Sequence, residues 1–122
     1  MAKSLVGEKG FEFALKIIGL YMKLKKNGES VLASQLLRSG TSIGANIEEA
    51  NAALSKKEFI SKMSISSKEA RETVYWLRLM GTAKICGLDY SDALKDAEEL
   101  VRMLTAIVKT SQKNLDVKRP LN

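Results

Sequence analysis

Apolar residues recur along the chain at steps of three and four in four successive stretches, the spacing of helices that each bury one face. The first stretch covers about residues 7–26, with Phe13, Ile17, Leu20 and Leu24 on one stripe and Ala14, Ile18 and Tyr21 beside it. Asn27-Gly28 ends it, since both residues tolerate the left-handed backbone of a helix C-terminus. Ser30 is the expected N-cap of a second helix over 31–53, whose inner stripe is Leu32, Leu36, Gly40, Ile43, Ile47 and Ala50. A third, over 56–86, opens on Ser55 with Glu58 three residues on, the spacing of a capping box. Its core stripe reads Ile60, Met63, Ser67, Ala70, Val74, Leu77 and Gly81, and Gly87 stops it. The fourth, over 91–113, places Leu94, Ala97, Val101, Leu104 and Val108 on one face, with Leu100, Met103 and Ile107 adjacent. Residues 114–122 read as a frayed tail.

Connections of a few residues make sequential helices antiparallel neighbours, so the pattern predicts an all-α, up-down-up-down four-helix bundle, one domain over residues 1–122. The second helix is rich in small residues: Ser39, Gly40, Ser42, Gly44 and Ala45. Each interior glycine costs about 1 kcal/mol relative to alanine. Close helix–helix approach offsets that, either inside the monomer or at a subunit interface. Arg38, Asn46 and Glu49 on the same helix belong to the same packing or oligomer set.

Composition narrows the chemistry. The 122 residues are 45% apolar and 28% charged, a folded composition. With no histidine, Ser-His-Asp and Cys-His nucleophile systems and every His-ligated metal site are excluded. Cys86 is alone, so no disulfide framework or zinc pair exists; near a helix end it reads as a small packing residue. No apolar run has the length of a membrane span, and the N-terminus lacks a signal-peptide core, so a cytoplasmic location is expected. No cofactor, metal or catalytic residue is predicted.

Net charge is +6 and uneven. Residues 1–28 carry an excess of +4, residues 29–54 carry −2, residues 55–86 carry +4, and the remainder balances. On the third helix Lys57, Ser61, Ser64, Lys68, Arg71, Tyr75 and Arg78 follow steps of three and four, which puts them on one side. Such a row could displace counterions from a phosphate backbone, with the ring stacking on a base. The plainer alternative is a solvated face, partly neutralised by Glu58–Lys62 and Lys68–Glu72 pairs. Lys57, Lys62, Lys68, Arg71 and Arg78 are the candidate nucleic-acid contacts, with Lys23, Lys25 and Lys26 on the first helix as secondary ones.

Glu69 and Glu72 share a side of the third helix and, without histidine partners, are expected to bind Arg38, Arg71 or Arg78 within or between subunits. Trp76 follows them along the helix at the edge of the buried stripe, where it either caps the core or anchors an oligomer.

The runs LLRSGTSIGANIEEA (36–50), SKKEFISKMSIS (55–66) and KEARETVYWLRLM (68–80) resemble the 23S rRNA intervening-sequence protein family. Arg38, Ser42, Ile43, Asn46, Ile47 and Glu49 together with Phe59 carry the likeness. The chain departs from many members at Glu48-Glu49-Ala50, where they have Ala-Glu-Gly, and at Lys68-Glu69, where they have Gly-Ser. The resemblance implies small bacterial four-helix bundles assembled as ring-like homopentamers, with a basic surface for nucleic acid and no catalytic activity or cofactor. It also implies likeness to the accessory proteins of diversity-generating retroelements, which work with a reverse transcriptase on RNA. The expected function is a non-enzymatic, oligomeric nucleic-acid-binding protein, for RNA more than DNA and with no membrane role. The alternative is a protein-interaction scaffold or accessory factor for a partner such as a reverse transcriptase.

Overall fold

The computed structural model describes residues 4–118, and among these every regular element is helical. The helices are α1 (Leu5–Lys26), α2 (Val31–Asn51), α3 (Lys56–Thr82) and α4 (Ser91–Lys118), with a 3-10 turn at Ile85–Gly87. α1 begins where the Ser4 hydroxyl accepts the Gly7 N–H at 3.0 Å. It ends in paired bonds from Glu29 N–H to the Leu24 carbonyl (2.9 Å) and from Gly28 N–H to that of Lys25 (3.0 Å). Only Gly28 takes the left-handed backbone, at φ +87°. Asn27 stays at φ −91° and instead donates its side-chain amide to the Lys23 carbonyl at 2.7 Å.

Ser30 holds the N-cap position of α2 without a side-chain bond. The preceding Glu29 does the capping, its carboxylate accepting the Leu32 N–H at 2.6 Å. Ser55 caps α3 as its sequence predicts, accepting the Glu58 N–H at 3.1 Å. Two predicted helix ends are corrected. α3 stops at Thr82 and not at 86, because Lys84, Cys86 and Gly87 all adopt positive φ and turn the chain. The Tyr90 hydroxyl pins that turn by donating to the Ile85 carbonyl at 2.7 Å. Cys86 is therefore exposed in the turn and packs nothing in the core. α4 continues to Lys118 instead of fraying from 114, with Leu115 half-buried beside Lys57 and Ile60 of α3. Residues 119–122 of the expected tail lie outside the described residues.

α2 and α4 each pack against both α1 and α3, which leaves α1 and α3 on one diagonal. Ile17, Leu24, Leu36, Ile43, Ile47, Leu77, Leu100 and Leu104 are fully or almost fully buried between them. The α3 stripe is rotated from the predicted one: Val74 is half-buried and Gly81 exposed, while Ser66, Thr73 and Met80 are buried. Hydroxyl partners explain the shift. Ser66 donates to the Ile43 carbonyl at 2.8 Å, and the Thr73 and Ser39 hydroxyls meet at 3.0 Å, so neither polar group is left unmet between α2 and α3. In α4 the buried line runs through Ala93, Ala97, Leu100 and Leu104, leaving Leu94, Val101 and Val108 at its edge.

The glycines of α2 serve contact within the chain. A Cβ on Gly44 would stand 3.2 Å from the Gly10 carbonyl oxygen, and one on Gly40 would stand 2.9 Å from Ile17 Cγ2. The α1–α4 seam is less extensive and is tied by ions. Lys9 meets Glu99 at 3.2 Å, and Lys16 meets both Asp92, at 2.7 Å, and Asp96. Hydrogen bonds to Asp92 first and Asp96 second hold the Lys16 ammonium above its ordinary value.

Two predictions follow from this packing. Gly44→Ala should destabilise the fold by about 1–3 kcal/mol, because backbone must move, whereas Gly19→Ala, with open space around it, should stabilise it by up to about 1 kcal/mol. Urea unfolding of both variants checks this. Lys16→Met should cost about 1 kcal/mol or less at pH 7, the pair being solvent-exposed. A raised lysine pKa contributes fully below pH 10.5 and fades as pH rises through the folded value, so the variant and the parent should converge only above that pH.

Candidate nucleic-acid interface

The outer flank of α3 keeps most of the predicted cations. Lys57, Lys68 and Arg78 are exposed and have no ion-pair partner among the described residues. Arg71 is also exposed and reaches across to α4, donating from Nη2 to Thr105 Oγ1 at 3.0 Å. Tyr75 projects outward in the same row, its ring 5.2 Å from that of Trp76 in an edge-on pair. Lys62 stands apart from that row. Five residues on from Lys57 it points about 140° away, toward α2, where it meets Glu49 at 2.8 Å. That bond holds the Lys62 ammonium above its ordinary value. The expected Lys68–Glu72 pair does not form, because Glu72 accepts from Arg38 and Trp76.

A second cationic row on α4 escaped the sequence reading. Lys95, Arg102 and Lys109 recur at steps of seven, with Lys113 four further on, and all four are exposed without an ion-pair partner among the described residues. Arg71 on Thr105 fixes the antiparallel register, so Arg78 stands near the level of Glu98 and Lys68 near that of Val108. In that register Arg71, Arg102, Arg78 and Lys95 alternate between the two helices at about 4.5–6 Å intervals, given a rise of about 1.5 Å per residue, while Lys68 and Lys109 stand nearly level. The row was hidden because residues 87–122 sum to zero charge. Three of their acids, Asp92, Asp96 and Glu99, turn to Lys16 and Lys9 on α1, while the bases turn outward with Glu98. The seven-residue spacing of Lys95, Arg102 and Lys109 was the signal available.

The remaining candidates lie elsewhere. Lys23, Lys25 and Lys26 occupy the last turn of α1, diagonal from α3, where cations complement the helix dipole. Lys25 also sits 5.9 Å from the centre of the Tyr21 ring. On the α2–α3 edge, Arg38 bonds Glu69 at 3.2 Å and also Glu72, and Trp76 Nε1 donates to Glu72 at 2.9 Å. Arg38, rather than Arg71 or Arg78, is thus the partner of both glutamates, and Trp76 lies half-buried over the core beneath them. Ser42 donates to the Arg38 carbonyl at 2.8 Å and Asn46 to the Ser42 carbonyl at 2.9 Å, so both side chains serve their own helix. The groove between α1 and α4, about 230 Å³, has a lining of mixed sign with Lys9, Lys16, Glu12, Asp96 and Glu99. No cluster of metal-ligating side chains occurs among the described residues.

An antiparallel four-helix bundle is the class these observations define. The chain belongs to the 23S rRNA-intervening sequence protein family, whose model matches residues 2–106. It is similar to a crystal structure from Bacteroides thetaiotaomicron VPI-5482, a protein of unknown function from the S23 ribosomal protein family. The two are 42% identical with a TM-score of 0.81, over 86% of this chain and 99% of that one. No curated protein matches. No helix among the described residues is long and apolar enough to cross a membrane.

Trp76, the chain's one tryptophan, reports on the Arg38 cluster. Glu72→Ala should shift its fluorescence emission while changing stability by about 1 kcal/mol or less, the cluster being partly exposed.

Proposed function

We propose that the protein is a non-enzymatic, oligomeric nucleic-acid-binding protein of the cytoplasm that holds RNA in preference to DNA through its α3–α4 flank. The observation that carries this reading is the set of outward cations on two adjacent helices, Arg71, Arg78, Lys95, Arg102 and Lys109, with Lys57, Lys68 and Lys113 at the edges. They offer charge to successive phosphates, and Tyr75 offers a ring for a base. The preference for RNA rests on the family's association with 23S rRNA. Assembly as a ring of five rests on the resemblance read from residues 36–80. The chain has no histidine, and Arg38 engages both Glu69 and Glu72, which supports a binding role over catalysis by that pair. The second reading, a scaffold for a partner such as a reverse transcriptase, is favoured by the exposed Phe11 and Met22 on α1.

Titration of the purified chain against structured RNA, single-stranded RNA and duplex DNA tests the first reading. With six to ten phosphate contacts, affinity should fall by about 10³–10⁵ between 50 and 200 mM salt. Arg78→Glu combined with Arg102→Glu should weaken binding at least tenfold and flatten the salt dependence by about one unit of slope per lost contact. Reversal of Lys23 and Lys26 should leave binding within about twofold, since those charges stand on another corner. Undetectable or salt-insensitive binding would overturn the reading in favour of a protein partner.

A further inference from the structure

At one end of the α3–α4 flank the seam opens into a hollow of about 310 Å³, lined by Lys57 and Ile60 of α3 and by Gln112 and Leu115 of α4. Its floor is apolar and its rim is polar. Ile60 is 9% exposed yet stands apart from the continuous core, and Leu115 is half-buried beside it. Gln112 is exposed, and its side-chain amide has no hydrogen-bond partner among the described residues.

The hollow continues the cationic row. With Arg71 level with Thr105 in antiparallel helices, Gln112 stands level with Ser64. The hollow then lies about 20 Å along the seam from Tyr75, given a rise of about 1.5 Å per residue. Arg71 comes first on that path, followed by Lys68 and Lys109, which stand nearly level. Three chemistries meet in the hollow: an apolar surface, an amide with donors and an acceptor, and a cation at the rim. One nucleotide presents the complement of each, in the flat face of its base, the edge of that base and its phosphate. The volume lies at the small end of ligand pockets, which begin near about 300 Å³, and suits a single base. A base inside a duplex has its faces stacked and its edge paired, so only an unpaired one could enter.

We propose that this hollow seats an unpaired base of an RNA strand laid along the α3–α4 seam. Gln112 bonds the edge of that base, Ile60 and Leu115 lie against its face, and Lys57 meets the adjoining phosphate. The proposal rests on the RNA-binding reading above and adds a second base seat to the ring of Tyr75. Two base seats joined by a run of cations select a single strand over a duplex, whose bases are turned inward. A free mononucleotide would fill the hollow but leave Arg71, Lys68 and Lys109 unused.

Fluorescence anisotropy with labelled unpaired RNA of about 4–16 nucleotides tests this, beside the same strand with abasic sugars and an RNA duplex. The parent should bind the unpaired strand about tenfold tighter than either control. Gln112→Ala with Leu115→Ala changes no charge. It should weaken the unpaired strand about tenfold and leave the abasic strand and the duplex within about twofold. Its salt dependence should match the parent's, since no phosphate contact is lost. An equal loss on the abasic strand would overturn the seat, and so would a duplex or a mononucleotide that binds as tightly as the strand. Ultraviolet cross-linking of a thiouridine-bearing strand to the unaltered chain reads the same contact without a variant. Linkage within residues 57–60 or 112–115 is expected, and linkage confined to other segments would overturn the seat. Failure of every RNA to bind would overturn the RNA reading itself, whereas binding that ignores the bases would overturn the hollow alone.

Discussion

The close approach of α1 to α2 at Gly10 and Gly44 is the constraint on which the rest of the bundle depends. Backbone meets backbone there, and the Ile47 side chain closes over the contact. Once α1 is seated, Ile17 fits against Gly40, and the opposite side of α2 is left to face α3. On that side the Ser39–Thr73 and Ser66–Ile43 bonds fix which residues of α2 and α3 stand level. Register across three helices is thereby set by two glycines and a few hydroxyls. α4 then closes the remaining side, and α1 reaches it mainly through Lys9 and Lys16.

The same arrangement sorts the charges. Aspartates and glutamates are largely drawn inward to seams, Asp92, Asp96 and Glu99 toward α1, and Glu69 and Glu72 toward Arg38. Basic residues of α3 and α4 have few acids left beside them and face water together. Cations outnumber acids on that flank, where exposed Glu98 stands among them. Because α1 lies diagonally across from α3, its exposed Phe11 and Met22 stand on another corner from the α3 cations.

Most of the fold was legible from residue spacing. The four helices, the Ser55 cap and the principal buried leucines and isoleucines follow from 3-4 periodicity and local capping chemistry. The α3 face was off by one turn's edge because Ser66 and Thr73 are polar by composition yet buried by pairing, which hydrophobicity alone does not reveal. The end of α3 was misplaced because Lys84 and Cys86, neither a glycine, take positive φ there. For the candidate interface, Lys57, Lys68, Arg71 and Arg78 were readable as one side of a helix. That Lys62 turns away from that side toward Glu49 was not readable, because its partner sits on another helix. The α4 row was lost to summing charge over a segment instead of over a face. Phe11, Leu15 and Met22 were passed over because one apolar stripe already accounted for α1.

Arg71 differs from the other arginine that pairs across helices in what holds it. Arg38 is neutralised by two carboxylates, whereas Arg71 rests on the hydroxyl of Thr105. A neutral acceptor restrains the side chain without cancelling its charge. Much of the rotamer entropy that a free arginine would lose on gripping an anion is already lost in the folded chain. Among the outward cations of α3 and α4, one guanidinium is thus held in place across helices, with four of its five N–H donors still unspent.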